Sequence, residues 1–127
     1  MLFPARLGLL LALAALAGAG EAAAQDKAAP AGGTPAAIAK GDTIFHKTGL
    51  CYACHGSNAE GTIGPNLTDA EWLHGDGSYG MIVATVTSGI PAEKAKKGVP
   101  MPAKGGSSIT DEEVKAVAAY VYSLSHK

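Results

Sequence analysis

Cysteine is almost missing from this chain: two occur in 127 residues, and they stand three positions apart. A disulfide scaffold needs several bridges over longer spans, so that class is excluded. Arginine is scarcer still, with Arg6 alone, and the formal net charge is −1. The basic excess of a nucleic-acid surface is therefore lacking. Aromatic residues number two Phe, one Trp and four Tyr, a thin stock for the core of a domain this small. No apolar run reaches the ~20 residues that span a bilayer, and there is no internal repeat and no convincing hairpin.

What is present begins with an export pattern. Arg6 supplies positive charge near the start, Leu7 to Leu16 is apolar, and Ala22-Ala23-Ala24 fits a small-residue cleavage site. Residues 1–24 are expected to be a signal peptide with Gln25 as the new N-terminus. A cut after Ala17-Gly18-Ala19 and an uncleaved anchor are the alternatives. Loss of residues 1–24 removes Arg6 and Glu21 and leaves the net charge at −1. Residues 25–35, rich in Pro, Gly and Ala, read as a flexible leader, and residues 36–127 as one domain.

The two cysteines lie in Cys51-Tyr52-Ala53-Cys54-His55, a C-x-x-C-H string. This spacing is that of covalent c-type haem attachment. Two intervening residues let the backbone turn so that both sulfurs reach vinyl groups on one porphyrin edge. The following His then sits under the iron as an axial ligand. A buried haem would also supply the flat apolar body that the aromatic count leaves missing. Two other readings remain. A thioredoxin-like thiol pair needs a βαβ context that the sequence does not offer. Half of a zinc site needs two further ligands, for which only the scattered His46, His74 and His126 are available.

The periodicity predicts helices over residues 36–48, within 77–89 and over 111–123. In the second, Met81, Ile82, Val83, Val86 and Ile90 repeat at partly helical spacing, although the β-branched stretch Val83–Thr87 also suits a strand. Thr110-Asp111-Glu112-Glu113 is a capping box, and Val114, Val117, Ala118 and Val121 follow as a helical stripe. Residues 56–72 and 91–109 read as loop. Loops this long fit a domain wrapped around a cofactor better than a bare core.

Cys51-x-x-Cys54-His55, Gly64-Pro65-Asn66-Leu67, Pro100-Met101-Pro102 and the terminal amphipathic helix with Tyr120 together resemble class I monohaem cytochromes c over about residues 36–125. Gly64-Pro65-Asn66-Leu67-Thr68-Asp69-Ala70-Glu71-Trp72-Leu73 and Met101-Pro102-Ala103-Lys104-Gly105-Gly106 are most similar to haem c domains of cbb3-type oxidase subunits and related small bacterial cytochromes. The resemblance implies an all-α cytochrome c fold, three to five helices and long loops around one covalently attached haem c. It implies that the Pro65 carbonyl accepts the second N–H of His55, and that Gly41, Phe45 and Tyr120 join the first and last helices.

Met101, between two prolines, is the expected sixth iron ligand, a soft neutral thioether that raises the potential. Met81 reads as core, and His74 is the rival ligand. Trp72 is either a donor to a haem propionate or a rim aromatic. Asn66 is a candidate for tuning hydrogen bonds near the haem. Lys94, Lys96, Lys97 and Lys104 either steer an acidic partner or form a solvated run. The expected function is a soluble, monomeric periplasmic electron carrier rather than an enzyme. It would take electrons from a periplasmic dehydrogenase or bc1-type donor, pass them to a terminal oxidase and touch a membrane only through those partners. The alternative is a dedicated electron-acceptor subunit of a periplasmic dehydrogenase or oxidase complex. An open-iron enzyme or gas sensor requires that Met101 not bind.

Overall fold

The computed structural model describes residues 32–127, so the predicted signal peptide and the leader through residue 31 lie outside the described residues. Helix α1 (Pro35–His46) starts where its sequence allows. Thr34 Oγ1 accepts from the Ala37 N–H, and Pro35 occupies a first-turn position where its missing N–H costs nothing. The helix ends two residues earlier than the periodicity predicts, because Lys47 leaves helical geometry and Leu50 turns left-handed at φ 57°.

Helix α2 (Tyr52–His55) is a single turn that carries the C-x-x-C-H string. Helix α3 (Tyr79–Ser88) is capped by Ser78, which resolves the helix-or-strand ambiguity of Val83–Thr87. Packing of Ile82 and Val86 into the core outweighs the strand propensity of that stretch. Helix α4 (Asp111–Ser125) opens on the expected capping box. The Thr110 hydroxyl takes the Glu113 N–H, and the Glu113 carboxylate takes the Thr110 N–H. Residues 91–109 contain two short 3-10 turns, at Ala92–Lys94 and Ala103–Gly106. Among the described residues, β pairing is limited to one antiparallel bridge between Ile90 and Met101.

The frame is the crossing of α1 on α4. Gly41 sits where any Cβ would strike the Ala116 carbonyl oxygen and Tyr120 Cβ, so the two backbones approach as only glycine permits. Beside it Phe45 is fully buried and meets the Tyr120 ring edge-on at 5.4 Å. Gly41, Phe45 and Tyr120 thus occupy the helix contact that the resemblance implies. Helix α3 packs on α4 from another side, and the buried set is dominated by Val, Ala and Ile, with Phe45 its one aromatic. No described helix is long and apolar enough to cross a membrane.

Candidate cofactor site

The small core leaves a cavity of about 250 Å³ between the helices and the loops, more than ten times the ~10–15 Å³ that a single water requires. Phe45, Ile82, Val86, Val117 and Val121 present apolar atoms to it. Cys51, Cys54, His55 and Met101 reach the same cavity. The α2 turn explains the first three: residues three apart share a face of a helix, and the His55 N–H closes the turn on the Cys51 carbonyl at 3.0 Å.

His55 is buried, and its Nδ1 lies 2.9 Å from the Pro65 carbonyl oxygen. That bond orients the ring and leaves Nε2 without a protein hydrogen bond among the described residues. Burial pushes the imidazole below its ordinary pKa, with the Pro65 carbonyl opposing in part. The ring is thus neutral at neutral pH, the state that ligates a metal. Gly64 makes this contact possible, since a Cβ there would lie 2.9 Å from His55 Cε1. The 62–65 segment is tied to the motif by two further bonds to the Cys54 carbonyl, from Thr62 Oγ1 and the Gly64 N–H, each 2.7 Å. Sequence reasoning missed Thr62; a loop threonine carries no signal of its long-range partner.

Met101 is held through its backbone. The Ile90 N–H donates to the Met101 carbonyl at 2.8 Å, and the Met101 N–H donates to the Ile90 carbonyl at 2.9 Å. Pro100 and Pro102 flank it. Met81, expected in the core, is 39% exposed at the cavity wall. Periodicity placed it on the inner face of α3, but that face opens on the cavity there rather than on side chains. His74 and Trp72 also line the cavity, with the Trp72 indole packed against Gly77. Asn66 does not line it: its Oδ1 accepts from the N–H and hydroxyl of Thr68 at 2.7 Å each, an Asx turn. Lys96 and Lys97 stand at the wall, whereas Lys104 pairs with Asp111 at 3.0 Å.

The thiol alternatives fare poorly. Burial pushes the Cys51 thiol up to about 11, and among the described residues the motif sits between helices, without the βαβ context of a thioredoxin-like pair. Among the described residues no three His, Cys, Asp or Glu side chains gather as a metal site, against half a zinc site. Two free thiols on one turn, a neutral oriented imidazole and a thioether around an apolar space fit a covalently attached haem.

Comparison with known proteins agrees. The profile of the family described as cytochrome c oxidase, cbb3-type, subunit III matches residues 36–121. The CcoP subunit of the cbb3-type oxidase of Rubrivivax gelatinosus is 45% identical over 92 residues, 72% of this chain and 27% of that protein. The FixP subunit of Bradyrhizobium sp. strain ORS 278 is 39% identical over 70% of this chain and 31% of its own. The chain therefore spans about a third or less of the curated relatives it matches. Cytochrome cL from the methylotroph Methylophaga aminisulfidivorans superposes with a TM-score of 0.60 at 24% identity, covering 74% of this chain and 57% of its own, which shows the all-α cytochrome c fold. By profile and by sequence identity, the chain belongs to the cbb3-type cytochrome c oxidase subunit III family and carries a c-type cytochrome domain like those subunits.

Proposed function

We propose that this protein is a periplasmic one-electron carrier in which Cys51 and Cys54 would tether a single haem c and His55 and Met101 would ligate its iron. The observation that carries this reading is the convergence of these four side chains on one apolar cavity, with His55 Nδ1 fixed by the Pro65 carbonyl. The chemistry a bound haem c supplies is one-electron cycling of iron between Fe(II) and Fe(III). Cys51 and Cys54 tether, and His55 offers Nε2. Met101, on its backbone bridge to Ile90, would occupy the iron position that a substrate would need, which favours electron transfer over catalysis. The apolar walls exclude water and, with the thioether, favour the reduced state. Trp72, at the wall, would offer its indole N–H to a haem propionate. One C-x-x-C-H string occurs in the chain, which supports one haem, and residues 1–24 support export to the periplasm.

Lys94, Lys96 and Lys97 are exposed, and the last two stand at the cavity wall. They steer an acidic redox partner, donor or oxidase, to this edge. The relatives are named as cbb3-type oxidase subunits, which favours a second reading: a subunit that passes electrons within an oxidase complex.

Spectroelectrochemical titration tests the carrier. One reversible one-electron wave with His/Met spectral features is expected, and a bis-His spectrum or carbon monoxide binding to the reduced protein would overturn the ligand set. Co-purification of the native protein with an oxidase in fixed ratio would select the second reading. Reversal of Lys96 and Lys97 to Glu should slow partner reduction roughly tenfold or more at low salt and little at high salt. Equal rates at low salt would leave the lysines as solvated surface.

A further inference from the structure

One titratable group near the cofactor-binding turn plays no part in the reading above. His46, the last residue of α1, has an acceptor at each ring nitrogen. Nδ1 lies 2.9 Å from the Asp42 carbonyl oxygen and 2.8 Å from Asp42 Oδ1. Nε2 lies 2.6 Å from the Ser57 carbonyl oxygen. A neutral imidazole has one N–H and one lone pair. Either neutral tautomer would aim that lone pair at an oxygen, so only the imidazolium satisfies both ends. Ser57 is two residues beyond His55. Among the described residues, the His46 contact is the one hydrogen bond between α1 and the segment 56–61. That segment in turn supports the motif, since the Gly61 N–H donates to the His55 carbonyl at 2.7 Å.

We propose that His46 is a proton-dependent positioning residue: as imidazolium it latches the segment after the Cys51–His55 turn to α1, and on deprotonation it keeps only one of its two donors, so the latch weakens. The groups facing it agree with that assignment. Asp42, on its own helix, brings a carboxylate. From α4 the facing group is Tyr120, whose ring centroid lies 6.0 Å away and whose phenol is pushed up by burial and then by the Asp42 charge, so it stays neutral. Phe45 packs edge-on at 5.1 Å and carries no charge. Across the latch the facing group is the neutral Ser57 carbonyl. Glu60, the segment's one charged residue, is turned onto the Asn58 N–H at 2.8 Å. The His46 side chain is 33% exposed, enough to exchange protons with solvent. Its pKa is raised, first by the Ser57 carbonyl and next by the Asp42 carbonyl, with burial opposing. A raised folded value means the stabilisation is fully present below the unfolded histidine pKa of about 6.5 and is lost as pH rises through the folded value.

The test uses the full haem-loaded chain, wild type and His46→Gln, and two NMR readouts. The wild-type His46 ring resonance should titrate above about 6.5. Amide exchange protection at Ala59 and Gly61 should exceed that of the variant roughly tenfold at low pH, the worth of one charge-assisted bond. That ratio should shrink above the His46 transition. A ring titrating at or below 6.5, or a protection ratio independent of pH, would overturn the proposal. Neither readout involves electron transfer, so the reversible wave in the same sample reports separately on the carrier function.

Discussion

Met101 carries the sharpest consequence of any single residue. Two thioethers line the cavity besides the two tethering thiols: Met101 is held by its backbone pair with Ile90, whereas Met81 is 39% exposed. Met101→Ala should lower the reduction potential by on the order of a tenth of a volt, within the ~0.8 V range that axial ligands set. The reduced variant should also bind carbon monoxide. Voltammetry and a carbon monoxide difference spectrum check this. An unchanged potential with no carbon monoxide binding would transfer the sixth position to His74, which also lines the cavity. Residue roles divided by how local their cause is. Cys51, Cys54 and His55 are legible because three to four residues of sequence set their mutual geometry. The Lys104–Asp111 pair, the Thr62 bond to Cys54 and the His46 bond to Ser57 depend on chain crossings that no local pattern encodes. Asn66, a candidate for tuning hydrogen bonds near the haem, accepts from its own turn at Thr68.

At the scale of elements, the α1–α4 crossing fixes where the cavity floor lies. Because a Cβ at Gly41 would meet backbone as well as side chain, the neighbour cannot swing aside. Gly41→Val should therefore cost about 1–3 kcal/mol or more, read as a lower thermal midpoint of the holoprotein; an unchanged midpoint would mean that the helices slide without loss. The capping box of α4 gives a pH test. Hydrogen bonding from Thr110, first through its N–H, holds the Glu113 carboxyl below its usual range. A depressed folded value stabilises above the unfolded carboxylate pKa and is lost as pH falls through the folded one. Wild type should lose more stability than Glu113→Gln as pH falls from about 6 to about 3, and parallel curves would remove the cap from the balance. This helix was legible at its N-terminus to the residue, because its cap is local. Helix α3 was expected within residues 77–89 but with a strand left open, because β-branched residues leave the choice to tertiary packing. The 3-10 turns of residues 91–109 were missed, being short and set by contact with the rest of the fold.

The described residues form a thin layer of buried Val, Ala and Ile around the fully buried Phe45 and a cavity. The composition pointed to this arrangement: seven aromatic residues in 127 leave the interior of a small domain short of bulk. Long loops that would count against an ordinary core become the walls of a site that brings Met101 beside residues far from it in sequence. The central claim is that the missing bulk is one haem, fixed by two thioethers. Intact mass spectrometry of the protein, produced with haem-maturation machinery and extracted with acidified acetone, tests it most directly. The expected result is a coloured protein whose mass is that of the polypeptide plus one haem, and a colourless protein with the mass of the polypeptide alone would contradict it.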